Sequence, residues 1–532
     1  MPERKALQFT LACLAVLGGA GIFLGYANPV YQAPPLALLF PACLATIGRI
    51  APTNKSAFYG GWLCATLGSC ACLYWITVPM HDFGQLPWPL TVPPLVALGG
   101  YLGLYGGLFS LLCRLFRAHL PFAAAILLTA PLWTALEIAK GILFTGFPWI
   151  SLATAFLPWP VWVQPAAVVG GAGLSGIFAL VAVALSEAAP LRFSLGFSPE
   201  IMPKKRRRFC YTLVVVPLAV LYAYGLNAID SPLPKGRDIT VGLIQGNVDQ
   251  NQKWDPMYQE GTLSRYLSLS EWTVNPSLGR LQKPVDLVLW PETSMPFYLE
   301  TAPALASRIA TFSREFNTPV AFGAPGRNTR ENGAGYFNRL WLQRPDSTMR
   351  QSYDKVHLVP FGEYVPLRLP LEFIEYFLQG LDFIPGSDGK PLLSGDLALG
   401  GLICYEAIFP ELARERVALG ANLLVNVSND AWFGRTAAPV QHLHLTAMRA
   451  IEQGRYVVRA TNTGISAIIT PRGRIALAGS LFRAEALVGE ARLVTDLTIF
   501  HHVSPFISWG CVLLTLSAAW ICLIRARRDV DL

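Results

Sequence analysis

Seven long apolar stretches crowd the first 226 residues of the chain, and an eighth lies close to its end. They are Leu7–Leu24, Tyr31–Ile50, Ala57–Val78, Leu90–Leu112, Pro121–Phe144, Val161–Leu185, Phe209–Leu226 and Phe506–Ile524. A helix needs roughly 20 mostly apolar residues to cross a bilayer, and only helices or closed barrels satisfy their backbone in lipid. Repeated stretches of this length commit the chain to a polytopic α-helical membrane domain. Composition agrees: 53% of the 532 residues are hydrophobic and 14% charged, against roughly 25% charged in soluble domains. Arg4 and Lys5 ahead of the first stretch would also suit a signal peptide. The lack of a small-residue cleavage site, and the further spans that follow at once, favour a retained helix.

Lys and Arg mark the orientation. Arg4 and Lys5, Arg49 and Lys55, Arg114 and Arg117, Arg192 with the run Lys204–Arg208, and Arg525 with Arg527 and Arg528 all fall in alternate loops. The intervening Met80–Pro89 loop has neither residue type. The positive-inside rule makes the basic side cytoplasmic. Seven spans then place the polar part on the far side, and the eighth returns the C-terminus. The expected division is a transmembrane domain over 1–231, a periplasmic domain over 232–500, and a last helix with a cytoplasmic tail over 501–532. The basic run beside a span is a topology signal, so no nucleic-acid partner is expected.

The polar part alternates strand-like and helix-like runs. Strands are expected at Ile239–Gly246, Val285–Trp290, Val320–Gly323, Asn338–Leu342, Leu397–Cys404, Asn422–Val427 and Ile465–Thr470. Helices are expected at Tyr258–Trp272, Ala304–Phe316, Glu411–Leu419 and Gln441–Arg455. Such alternation argues an α/β domain, and near-continuous apolar strands argue a sheet covered on its faces.

Cysteine placement singles out one thiol. Nine of the ten cysteines lie in or beside the apolar stretches, whereas Cys404 stands alone in the polar part. No disulfide framework and no zinc spacing can be built there. Leu397–Ile403 reads as a buried strand, and a helical run starts near Pro410, so Cys404 sits on a turn close to a helix N-terminus that favours a thiolate. The plainer alternative is an inert buried hydrophobe. A thiol needs a neighbouring base or cation to react near neutral pH. Two other strand ends offer these: Glu292 follows Val285–Trp290, and Lys355 precedes Glu363 by eight residues.

Other features carry less. Gly171–Gly176 fits the dinucleotide spacing, but no strand precedes it, so close helix packing is the expected role. Glu137 and Lys140 form an expected local pair within a span. His442 and His444 alternate without metal spacing and are expected to be structural polar residues. Tyr364–Leu378 suits either an amphipathic surface helix or a core-packing one. No metal or cofactor is expected.

Together, Pro291-Glu292, Asp354–Glu363 and Cys404-Tyr405-Glu406 resemble the Glu–Lys–Cys signature of the nitrilase, or carbon–nitrogen hydrolase, superfamily over roughly residues 237–498. Gln245–Asn247, Trp254 and Asn426–Gly434 fit as well, and the seven-plus-one spans make the whole chain similar to the membrane-embedded apolipoprotein N-acyltransferase family. The resemblance implies a nitrilase-like αββα sandwich inserted before the last transmembrane helix. It implies Cys404 as nucleophile, Glu292 as general base and Lys355 as oxyanion stabiliser. Glu363, Glu406 and Tyr405 would support them, and Trp254, Asn338 and Trp432 would line the substrate pocket. The implied reaction passes an acyl chain from a phospholipid, through a thioester, to the diacylglyceryl-cysteine amine of an apolipoprotein. The alternatives are a membrane-tethered amidase with water as acceptor and a non-enzymatic lipid-binding scaffold.

Overall fold

The structure, a computed structural model, describes residues 2–189, 202–275, 283–327, 335–364 and 383–528. Arg192 of the basic loops, and the Tyr364–Leu378 stretch from residue 365 onward, lie outside the described residues. The chain divides into two compact units: 1–231 with 436–441 and 499–532, and 232–435 with 442–498.

The first unit is helical. Among the described residues, six helices are long and apolar enough to cross a membrane: Arg4–Gly25, Trp88–His119, Phe122–Thr145, Ala166–Ala188, Lys204–Asp230 and Ile499–Arg528. Asn54–Cys72 and Tyr74–Asp82 form a seventh candidate that bends by 57°. The expected span Tyr31–Ile50 is shorter than anticipated. It comprises a 3-10 turn at Pro34–Leu38 and a 12-residue helix at Leu39–Ile50. Pro34 and Pro35 supply no backbone N–H, which suits the start of a helix and not its interior. All eight apolar stretches therefore form helix, but not eight straight spans. Gly171–Gly176 lies inside Ala166–Ala188, as expected of a packing segment.

Close approach explains the glycines between Asn54–Cys72 and Trp88–His119. A Cβ at Gly103 would lie 2.2 Å from Thr66 Oγ1 and 2.9 Å from the Trp62 carbonyl. Glu187, Glu137 and Lys140 are all engaged within this unit. Glu187 pairs with Arg117 at 2.6 Å and Arg49 at 3.4 Å. Glu137 accepts from Trp133 Nε1, Ser151 Oγ and the Leu152 N–H, each at 2.9 Å. Lys140 donates to the Ile150 carbonyl. Both side chains thus fasten the stretch after their helix, each through its own partners and without the expected ion pair between them.

The second unit is a two-sheet sandwich. Among the described residues twelve strands run in chain order: β1 Gly236–Gln245, β2 Leu287–Leu289, β3 Val320–Arg327, β4 Tyr336–Gln343, β5 Gln351–Asp354, β6 Leu392–Ser394, β7 Leu397–Ile403, β8 Leu423–Ser428, β9 Val457–Thr461, β10 Ala467–Ile469, β11 Ile475–Ala478 and β12 Glu485–Val494. One sheet has the order β12-β1-β2-β3-β4-β5 and the other β11-β10-β9-β8-β7-β6. Strands β1-β2-β3 and β7-β8-β9 are parallel, and the flanking strands are antiparallel.

Alternation along the strands builds the layers. Val241 and Leu243 of β1, Leu287 and Leu289 of β2, Leu399 of β7 and Leu423 of β8 meet between the sheets. Val288, Trp290, Val320 and Phe322 face the other way, onto Leu263 and Tyr266 of helix Gln259–Val274 and onto Ile309 and Phe312 of helix Pro303–Glu315. Each fully buried aliphatic side chain contributes on the order of 1.5–3 kcal/mol. The result is the nitrilase-type arrangement expected from the sequence.

Candidate active site

The reactive side chains sit where parallel strands end. In α/β sheets that edge is where ligands bind, because chain reversals leave a crevice there. Glu292 follows β2, Cys404 follows β7, and the loop carrying Asn429 and Asp430 follows β8. Lys355 follows the antiparallel β5, and its N–H bonds to the Asn338 carbonyl of β4 at 2.8 Å.

Buried polar groups need partners, and here they partner one another. Lys355 Nζ lies 2.8 Å from Glu363 Oε2, 3.0 Å from Glu363 Oε1 and 3.8 Å from Glu292 Oε1. Asn338 Nδ2 donates to both carboxylates, at 2.7 Å to Glu292 and 2.9 Å to Glu363. The Asn429 N–H fills the other Glu292 oxygen at 2.8 Å, and the Val359 N–H the other Glu363 oxygen at 2.8 Å. Two carboxylates therefore share one lysine, and Glu363 is its nearer partner. Burial works against the Lys355 charge, but Glu363, then Glu292 and Cys404, outweigh it and hold its pKa above the ordinary lysine value. Lys355 is a fixed cation.

Cys404 adopts φ +51°, the left-handed region that a side chain tolerates poorly. The strained turn carries the thiol out of the sheet at the first residue of the 3-10 helix Cys404–Ile408. Burial, followed by the Glu292 carboxylate, pushes the thiol pKa up, and Lys355 opposes both. The short helix favours a thiolate, and the partial burial of Cys404 opposes it. The neutral thiol needs a base to take its proton.

Glu406 is fully buried. Its Oε1 accepts from Tyr353 Oη at 2.7 Å, the Val356 N–H at 2.8 Å and the His357 N–H at 3.2 Å, and its Oε2 accepts from the Ile403 N–H at 2.7 Å. One carboxylate thus grips the residues just after Lys355 and just before Cys404. Tyr405 is buried against His357 and Phe409, with ring centroids 5.8 and 5.1 Å away.

The structure brings Glu292, Lys355, Glu363, Asn338, Cys404 and Glu406 into one connected group. Trp254 and Trp432 differ, being 47% and 38% exposed. Lys253 was missed from sequence, where it stands beside the more conspicuous Trp254. It is buried, donates to the Glu292 carbonyl at 3.4 Å, and is pushed down to about 8 by desolvation, which Glu292 opposes. Among the described residues no cluster of His, Cys, Asp and Glu could hold a metal ion.

Comparison with known proteins fits this geometry. The carbon–nitrogen hydrolase family pattern matches residues 240–495, and that of the apolipoprotein N-acyltransferase N-terminal domain matches residues 20–184. An apolipoprotein N-acyltransferase of Geobacter metallireducens is 37% identical over 99% of this chain and 98% of its own. One from Nitrosomonas europaea is 34% identical over 95% and 94%. The chain belongs to the apolipoprotein N-acyltransferase family. Its sandwich also superposes on a carbon–nitrogen hydrolase from Helicobacter pylori, covering 48% of this chain and 89% of that one at 17% identity and a TM-score of 0.36. With its long apolar helices, this member of the apolipoprotein N-acyltransferase family is a multi-pass membrane protein.

Proposed function

We propose that the protein acylates the N-terminal diacylglyceryl-cysteine amine of apolipoproteins by a two-step transfer through Cys404. The observation that carries this reading is a half-buried thiol, presented on a left-handed turn, in one site with a lysine that two carboxylates share. In the first step Glu292 takes the Cys404 proton while sulfur attacks the sn-1 ester carbonyl of a phospholipid. Lys355 and backbone N–H groups near Cys404 stabilise the oxyanion. The ester C–O bond breaks, Glu292 returns its proton to the departing alkoxide, and a lysophospholipid leaves. In the second step the acceptor amine attacks the thioester carbonyl and gives a proton to Glu292. The C–S bond breaks, the proton returns to sulfur, and the amide product departs.

Glu292 suits the base because Glu363 holds Lys355 more closely, leaving Glu292 with two neutral donors. Glu363 and Glu406 fix Lys355 and the Cys404 turn. Trp254, Trp432 and Tyr405 would shape the pocket. The division at 231/232 and 500/501, with the catalytic part periplasmic and both termini cytoplasmic in the inner membrane, follows from the basic loops. Both lipid substrates then stay in the bilayer. Incubation of the purified protein with labelled phospholipid and a diacylated lipopeptide should label the lipopeptide amine. Release of free fatty acid or of ammonia from small amides, with no labelled lipopeptide, would instead establish a hydrolase.

A further inference from the structure

Behind Cys404 lies a second buried polar group that the two-step transfer leaves unused. Asp430 and Arg459 are fully buried and paired at 2.7 Å. Two arms run from this pair to the same cysteine. On one, Asp430 Oδ1 accepts from Ser428 Oγ at 2.6 Å, and Ser428 hydrogen-bonds the Cys404 thiol. On the other, Arg459 Nη2 lies 3.2 Å from His442 Nδ1, and His442 Nε2 lies 3.1 Å from the Cys404 carbonyl. A third tie joins Arg459 to Asn426, whose amide donates to the Leu402 carbonyl at 2.7 Å.

The chemistry of the partners sets the imidazole tautomer. A guanidinium can only donate and a carbonyl can only accept. Nε2, which faces the carbonyl, then carries the hydrogen, and Nδ1 accepts from Arg459, its nearer partner, with Asp430 Oδ1 3.4 Å away. Burial, then Arg459, holds His442 below its ordinary pKa, so the neutral ring persists. Asp430 stays ionised: burial would raise it, but Arg459 holds it well below the carboxylate range.

We propose that His442 is a positioning residue for the nucleophile: its Nε2–H, oriented by Arg459, anchors the Cys404 carbonyl and holds the left-handed turn that presents the thiol. A non-glycine residue at φ +51° relaxes unless its surroundings fix it. The carbonyl is the handle for that fixation, because it rotates with the Cys404 ψ. Release of the handle lets the thiol leave the reach of Glu292, and displacement by about 1 Å lowers a rate by as much as about 10²-fold.

The inference rests on Cys404 as the acyl carrier, and the test separates the two. Single-turnover acylation by labelled phospholipid is followed by mass spectrometry of the Cys404 peptide in wild type, His442→Leu and His442→Gln. Leucine supplies no hydrogen bond, whereas the glutamine amide can place a donor near the Nε2 position. His442→Leu should form the thioester about 10- to 100-fold more slowly, with the half-saturating lipid concentration unchanged. His442→Gln should recover most of that loss. Wild-type speed in His442→Leu, or equal loss in both variants, would overturn the proposal. So would a rise in half-saturation that accounts for the whole effect. Lack of any thioester in wild type would instead overturn the nucleophile assignment itself.

Discussion

Two lysine–carboxylate settings in this chain differ in what they leave available. In the helical unit, Glu137 is filled by an indole, a hydroxyl and a backbone N–H, and Lys140 is spent on a carbonyl. These groups fasten backbone to helix. In the sandwich, Lys355 sits between Glu363 and Glu292, with the Cys404 thiol coupled to it. Charge there is shared and not exhausted, and Glu292 is the group with room for a proton. The contrast teaches that a lysine and a carboxylate become a reaction site through the partners that leave one of them free to take a proton.

Substitutions can break that contrast, and the largest effect belongs to the thiol. Cys404→Ala should abolish the acyl-enzyme and lower amine acylation to background in the lipopeptide assay. Glu292→Gln keeps the shape but removes the base, and should slow single-turnover acylation by about 10²–10⁴-fold. Glu363→Gln removes the nearer partner of Lys355 and leaves the lysine to Glu292, quenching the base. About 10- to 100-fold slower acylation is expected in the same assay. If Glu363→Gln were as fast as wild type, the partition between the two carboxylates would be wrong.

The smaller effects lie in stability. Lys253 is held near 8 in the fold against 10.5 unfolded. Across that window the unfolded chain binds a proton that the folded chain lacks, so stability should rise with pH. Thermal unfolding of Lys253→Met in detergent should lose that slope. Glu137→Gln should be the mildest catalytically. It leaves the transfer rate per folded molecule unchanged while lowering stability by about 0.5–1.5 kcal/mol, since the Ser151 hydroxyl loses its carboxylate acceptor. A large catalytic loss in Glu137→Gln would erase the distinction between the two settings.

Much of this was legible in the sequence, for identifiable reasons. Apolar length marked all eight helical stretches, and strand ends marked Glu292, Lys355 and Cys404. Strand β12, half-exposed along most of its length and paired to β1 across the whole register, gave no apolar run and went unread. The bend after Cys72 and the short helix at Leu39–Ile50 were hidden because hydropathy records length and not direction. His442 was set aside because its partners Asp430 and Arg459 are 12 and 17 residues away and meet it only through β8, β9 and helix Ala438–Gln453. The burial that opposes a Cys404 thiolate was not legible, because it is a tertiary quantity that the turn motif does not contain.

The central claim is that Cys404 carries the acyl group between two lipids. Its most direct test is mass spectrometry of the Cys404 peptide after the purified protein meets phospholipid with no acceptor present. The account predicts a mass increase of one acyl chain on Cys404, reversed by hydroxylamine and discharged when the diacylated lipopeptide is added. An unmodified Cys404 in a preparation that still acylates the lipopeptide would contradict it.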